Sequence, residues 1–185
     1  SSSRLEVFDV LPFLLPHDID VFCLDFAGSG ISQGDYVTLG HSEEKDLSVV
    51  IRYLRKSGLA SSIALWGRSM GASTAVIRAS KDRCLAGCVL DSPFRDLRGI
   101  AQDLIGHSLP LPQWVIDMGV ETIRQEVHKR AGFDPDEVQP IRSAPKARCP
   151  AMFGVAIDDD FVLPRHSKEL HDAWGGACAL RSFHG

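Results

Sequence analysis

Apolar positions along this chain fall into two alternating periods. Ile19-Asp20-Val21-Phe22-Cys23-Leu24-Asp25-Phe26 is a near-continuous apolar run of strand length, the pattern of a strand buried on both faces. Shorter runs at Ile63–Trp66, Cys88–Leu90, Ala151–Ala156 and Ala177–Phe183 predict four more strands. Between them the spacing turns helical. Leu47, Val50, Ile51 and Leu54 form one stripe of a helix over about 42–56, with Gly58 placed as its stop. Residues 72–78 and 164–174 read as helices as well. At the start, Ser3-Arg4-Leu5-Glu6 has capping-box spacing, and Leu5, Phe8, Leu11 and Leu15 follow a helical period. Pro12 is expected to kink that helix and Pro16 to end it.

Strand alternating with helix predicts an α/β fold, one domain over 1–185, built on a mostly parallel sheet with helices on both faces. The alternation breaks from about 94 to 140. Two helices are predicted there, 97–105 and 114–130, separated by Pro110 and Pro112. The second would present Val115, Met118, Ile123 and Val127 on one side.

Composition narrows the class. Hydrophobic residues at 44% and charged residues at 24% are those of an ordinary globular domain. A net charge of −4, with no basic block longer than His128-Lys129-Arg130, argues against nucleic acid or an anionic membrane as the main partner. No apolar run approaches the ~20 residues of a membrane span. Five cysteines, Cys23, Cys84, Cys88, Cys149 and Cys178, include no C-x-x-C pair and read as reduced core thiols of a cytoplasmic protein. The chain starts at Ser1 without a methionine and stops in a strand-loop at Gly185, so it is expected to be a piece of a longer product.

The chemistry concentrates at Ile63-Ala64-Leu65-Trp66-Gly67-Arg68-Ser69-Met70-Gly71. A Gly-x-Ser-x-Gly pattern alone arises by chance in roughly one chain in fifteen of this length. Here an apolar strand leads into it and a helix leaves it, the context of a nucleophile elbow. The turn would push the Ser69 hydroxyl out at a helix N-terminus, whose unpaired N–H groups favour developing negative charge. Both glycines are expected to be needed because the backbone approaches too closely for a Cβ.

A serine nucleophile needs a base, and the base an orienting carboxylate. Asp158-Asp159-Asp160 follows a late strand, where the chain order Ser, Asp, His would place the acid. Asp91, ending the strand after the elbow, is the runner-up. In the loop after the last strand the only histidine is His184. His17, His41, His107 and His128 read as loop or surface residues. His166 and His171 are five apart, not four, with no third ligand, so no metal site is expected. Gly28-Ser29-Gly30 follows a predicted strand, but the third glycine of a dinucleotide fingerprint would fall at Gln33, so no cofactor is expected.

Together these marks resemble the α/β-hydrolases over nearly the whole chain. They are Gly67-Arg68-Ser69-Met70-Gly71, Asp25-Phe26-Ala27-Gly28-Ser29-Gly30-Ile31-Ser32, Leu90-Asp91-Ser92-Pro93-Phe94, and Asp159-Asp160-Phe161-Val162 with Pro164, His166 and Ser167. The chain is most similar to a group of esterase-like hydrolases related to the serine-peptidase and acyl-thioesterase branches. The resemblance implies Ser69 as nucleophile, Asp159 as acid, the Met70 N–H as one oxyanion donor, and residues 94–140 as a small helical cap over an acyl substrate.

It also implies two departures. The family's Phe-x-Gly-x-His pattern starts at Phe183-His184-Gly185, which places the base two positions past the end. The stretch carrying the second oxyanion donor, and the first strand, would precede Ser1. The implied fold therefore lacks its first strands, leaving a gap near 10 Å in the sheet; such a chain is not expected to be stable alone. A non-catalytic binding module of the same fold is the alternative that a missing histidine would imply.

Overall fold

The computed structural model describes residues 3–108 and 111–184. The expectations placed on Ser1, Ser2, Pro110 and Gly185 lie outside those residues. The chain divides into two compact units, Ser1–Val37 and Thr38–Gly185.

In the first unit the predicted helix is broken into three short pieces, two of them 3-10 turns. These are the turn Arg4–Asp9, α1 (Leu11–Leu14) and the turn Leu15–His17. Ser3 caps the start, its hydroxyl accepting from the Leu5 N–H at 3.3 Å. Pro16 does not stop the segment but begins its last turn, a position whose N–H is dispensable. The stop falls at Asp18, in the left-handed region with φ 56°. The strand expected at 19–26 does not form: these residues pair with no other strand among the described residues, and a strand exists only as part of a ladder. The loop after it is nonetheless ordered around Asp25. Its carboxylate accepts from the Arg4 N–H at 2.7 Å and from the Ile31 N–H at 3.3 Å, and it pairs with the Arg4 guanidinium. The Arg4 N–H is the main influence holding the Asp25 carboxyl below its ordinary pKa. Gly30, at φ 57°, is required because a Cβ there would meet this carboxylate at 2.3 Å.

The second unit carries the sheet. Helix α2 (Glu43–Lys56) buries Leu47 and Ile51 as predicted, and also Glu43 and Glu44, which hydrophobic pattern could not show. Glu43 accepts from the Thr38 N–H (2.7 Å), the Thr38 hydroxyl (2.6 Å) and the Gly40 N–H (2.9 Å), fastening the segment that enters α2. Then follow β1 (Ala64–Arg68), α3 (Met70–Lys81) and β2 (Gly87–Asp91). After them come α4 (Leu97–Ser108), α5 (Gln113–Ala131), the short α6 (Pro140–Ser143), β3 (Ala151–Ala156), α7 (Pro164–Ala173) and β4 (Cys178–Phe183).

The strands form one sheet in the order β1-β2-β3-β4, every pair parallel. All four therefore end at the same edge. Gly67, Leu90, Phe153 and Leu180 align across the sheet. On that face Leu65, Cys88, Leu90, Phe153 and Val155 are buried. Ala72, Ala75, Val76 and Ala79 of α3 pack there, as do Leu170 of α7 and Trp174 just after it. The small side chains of α3 let its backbone come close, and Trp174 meets Phe153 edge-on at 5.6 Å. On the opposite face Trp66 is 52% and Met152 44% exposed.

Helix α5 differs from its predicted stripe. Its buried residues are Ile116 and Val120, while Met118 is 60% and Ile123 49% exposed. The stripe at 116, 120, 127 and 131 passes through Arg124, whose guanidinium binds Asp134 at 2.8 Å through Nε. A cation on the buried side broke the pattern that hydrophobicity alone would follow. Phe94, Phe133, Val138 and Val162 form a second apolar cluster. Leu97, Ile100, Val127 and Ala131 from α4 and α5 pack on it, and so does Met70 at the start of α3. The helices between β2 and β3 are thus anchored beside the residue following Ser69.

Candidate active site

Ser69 stands between β1 and α3 with φ 49° and ψ −114°, a conformation that costs a non-glycine residue about 1–3 kcal/mol. Two contacts hold it. Its N–H donates to the Asp91 carbonyl at 2.8 Å, and its own carbonyl accepts from the Ser73 N–H at 3.0 Å. Gly67 makes the turn possible: a Cβ there would lie 2.3 Å from the Gly71 carbonyl carbon and 2.5 Å from the Ala72 nitrogen. Gly71 itself is not crowded, since a Cβ on it would meet nothing within 4 Å. The expectation that both glycines yield space is therefore corrected. The close approach is between the backbone at 67 and the start of α3, and only Gly67 stands in it.

Ser69 is half-buried, and among the described residues no hydrogen bond engages its Oγ. The Met70 N–H, first of the unpaired amides of α3, lies next to it in the chain. Arg68 points to solvent, 71% exposed, with its Nε 3.8 Å from Asp91; a pair so open contributes little.

The next strand repeats the device. β2 also leaves through a positive-φ serine, Ser92 at φ 48°, whose N–H donates to the Gly154 carbonyl of β3 at 3.0 Å. The loop that follows is pinned from two helices. The Ser73 hydroxyl accepts from the Phe94 N–H at 2.9 Å, and the Ser167 hydroxyl donates to the Pro93 carbonyl at 3.1 Å. These bonds give a structural part to Leu90-to-Phe94 and to Ser167.

Asp159 lies in the turn after β3, at the edge where Ser69 stands but two strands over, about 10 Å in strand spacing. Its Oδ1 accepts from Phe161 N–H at 3.0 Å and Val162 N–H at 2.8 Å. Its Oδ2 carries no hydrogen bond among the described residues. Asp158 and Asp160 are both exposed. Asp91 accepts from the Ser92 hydroxyl at 3.1 Å. His184 follows β4 at the same edge and is exposed.

The geometry also shows a pair that the sequence did not single out. His166 is fully buried, its Nε2–H donating to Asp103 of α4 at 2.7 Å while Nδ1 accepts from the Arg95 N–H at 3.4 Å. Arg165 binds the same carboxylate. Asp103 and His166 join α4 to α7; they are 63 residues apart, and only the fold brings them together. A cavity of about 220 Å³ opens between α4 and the segment 135–139, lined by Arg95, Arg98, Gln102, Asp136 and Val138 among others. Neither Ser69 nor Asp159 lines it. Among the described residues no group of His, Cys, Asp and Glu could hold a metal ion, and no helix is long and apolar enough to cross a membrane.

Comparison with known proteins agrees with this architecture. The family model described as serine aminopeptidase, S33, matches residues 6–131. The uncharacterised Bacillus subtilis protein YqkD is 27% identical over 165 residues, 87% of this chain, which spans about half (53%) of that relative's length. An esterase of Pyrococcus furiosus aligns over 100% of this chain and 70% of its own, with TM-score 0.75 and 22% identity. A lipase-esterase related protein from Clostridium acetobutylicum covers 100% of the chain and 82% of its own at TM-score 0.68 and 18% identity. A monoacylglycerol lipase from Paleococcus ferrophilus covers 100% and 80% at TM-score 0.71 and 16% identity. The parallel sheet with its flanking helices is that of the α/β-hydrolases.

Proposed function

This chain belongs to the serine aminopeptidase S33 family of α/β-hydrolases, and on that premise we propose that its protein is a serine hydrolase. The reaction is cleavage of a carboxylic ester, thioester or small amide through an acyl-enzyme on Ser69. The observation that carries the reading is the strained turn at Ser69, with φ 49° between a strand and a helix and its hydroxyl free of hydrogen bonds among the described residues. Strain of that kind persists only where the surroundings impose it, and it stands at the N-terminus of α3, which supports reading Ser69 as the nucleophile of an elbow.

The steps follow from the placement. A histidine from the loop after β4, at or beyond His184, takes the Ser69 proton as Oγ attacks the acyl carbon. Asp159 orients that histidine through its unengaged Oδ2. The oxyanion forms against the Met70 N–H, where a fixed donor is worth about 3 kcal/mol of barrier. The same histidine returns the proton to the leaving alcohol, thiol or amine. Water, deprotonated in turn, then releases the acid. No cofactor takes part. Residues 94–140 act as a cap, and the side chains α5 leaves in solvent, Trp114 and Met118, favour an acyl chain as the group admitted. Of the three bonds, the esterase and lipase names of the structural neighbours favour the ester.

The test is labelling of the protein with a fluorophosphonate, together with hydrolysis of p-nitrophenyl esters of increasing chain length. Labelling that Ser69→Ala abolishes is the expected result. Persistent labelling of Ser69→Ala would remove this serine from the mechanism. A wild-type protein that neither labels nor turns over esters would instead favour the binding module.

A further inference from the structure

Away from Ser69, α2 and the C-terminal end of α3 enclose a cleft of about 290 Å³, lined by Ser48, Ile51, Arg52, Arg55, Lys56, Arg78 and Asp82. Arg78 is nine residues along α3 from Ser69, roughly 14 Å at the helical rise, so the cleft is separate from the proposed active site. Its charges are unbalanced. Two buried carboxylates, Glu44 and Asp82, each 6% exposed, face three cations. Arg55 forks onto Asp82 at 2.8 and 3.1 Å. Arg78 gives one nitrogen to Glu44 at 2.9 Å and comes within 3.6 Å of Asp82 with another. Lys81 takes the remaining Glu44 oxygen at 2.7 Å, and the Cys84 N–H donates to Asp82 at 3.0 Å.

Every carboxylate oxygen here is therefore occupied, while donors remain. The Arg78 Nε–H is buried and has no acceptor. Arg52 and Lys56, one helical turn apart on α2, line the cleft with no carboxylate partner among the described residues. The lining thus offers the unpaired donors and positive charge of Arg52 and Lys56 with every carboxylate oxygen already taken, and beside them two guanidinium groups are fixed in advance by buried carboxylates. A ligand that satisfies it must bring several oxygens and more than one negative charge. Phosphate does both, and the guanidinium fork matches its oxygens. The volume exceeds a bare phosphate ion and suits one carried on a small body.

We propose that this cleft binds a phosphate-bearing small molecule. The proposal does not depend on the hydrolase reading. Isothermal titration of the protein at constant ionic strength tests it, with pyrophosphate, inorganic phosphate and glycerol 3-phosphate as soluble probes. Vesicles with and without phosphatidic acid form the lipid arm. Saturable one-to-one binding of a soluble probe is expected. Arg52→Ala/Lys56→Ala should weaken it by at least about tenfold, since each charged hydrogen bond lost is worth a factor of that order. Arg52→Lys/Lys56→Arg should retain most of it. Binding of phosphatidic acid vesicles alone, with the same dependence on Arg52 and Lys56, assigns the phosphate to a lipid headgroup. No saturable binding of any probe, or equal binding by wild type and Arg52→Ala/Lys56→Ala, overturns the proposal. Unchanged circular dichroism and melting temperature in both variants show that they fold.

Discussion

Gly67→Ala tests how the Ser69 turn is held. The added Cβ would lie 2.3 Å from the Gly71 carbonyl carbon, 2.4 Å from its oxygen and 2.5 Å from the Ala72 nitrogen. All three are backbone atoms, so no side chain can swing aside. Relief needs a separation of about 1 Å between the end of β1 and the start of α3. Overpacking of this kind costs about 1–3 kcal/mol or more. For a chain of this size that is a fall in Tm of about 2–12 °C. The same displacement moves Ser69 against the Met70 N–H, and a 1 Å misplacement costs about a hundredfold in rate. Gly71→Ala is the internal control. Its Cβ meets nothing within 4 Å, and inside a helix the exchange gains about 0.5–1 kcal/mol. Differential scanning fluorimetry and the rate of fluorophosphonate labelling should therefore separate the two variants. Gly67→Ala is expected to melt lower and label about a hundredfold more slowly, while Gly71→Ala melts at or above wild type and labels normally. Equal behaviour of the two would refute the argument that crowding falls on Gly67 alone.

Other consequences are as direct. Asp159→Asn keeps the oxygen that accepts from Phe161 and Val162 but no longer stabilises a charged histidine. Ester turnover should fall by about 10⁴-fold, while Asp158→Asn and Asp160→Asn stay near wild type; a similar loss in either neighbour would reassign the acid. His166→Ala removes a buried hydrogen bond to Asp103 and leaves a cavity, together about 3 kcal/mol, read as a Tm drop of roughly 6–12 °C by calorimetry. Arg124 holds the Asp134 carboxyl down to about 2, so its stabilising contribution is complete above the unfolded value near 4 and is lost as pH falls through about 2. The Tm gap between wild type and Asp134→Asn should be constant from about pH 7 to 5 and close between about pH 4 and 2. A gap that persists at pH 2 would exclude this pairing as its source.

Local pattern made much of this fold legible. The strands at 64–68, 87–91, 151–156 and 178–183 fall within about two residues of where apolar runs place them, because parallel strands buried against helices must be apolar. The strand-turn-helix sequence around Ser69 is legible for the same reason. What pattern could not show were features made by distant partners. Ile19 to Phe26 reads as a strand, yet strand formation depends on a neighbour that the run itself does not supply. Asp103 and His166 carry no sign of each other, and Glu43 and Glu44 look like ordinary first-turn acids until the loops and cations they bind are in place. On α5, Arg124 lies on the inner stripe because Asp134 meets it there, so of the residues the hydrophobic period selects Val127 packs on the core while Met118 and Ile123 face solvent.

One feature of the sheet bears on how such a protein can change. β2 and β3 are adjacent and parallel, so everything from Ser92 to Pro150 is a single crossover between neighbouring strands. The entropy of closing a loop grows only with the logarithm of its length, about 0.6 kcal/mol per doubling. Exposed turns inside this excursion can therefore be lengthened or shortened at small thermodynamic cost, while its buried residues, among them Phe94, Phe133, Val138 and Ala144, and the strand register on either side stay fixed. Changes of length confined to those turns are thus a route to altering the molecule's surface without rebuilding its sheet.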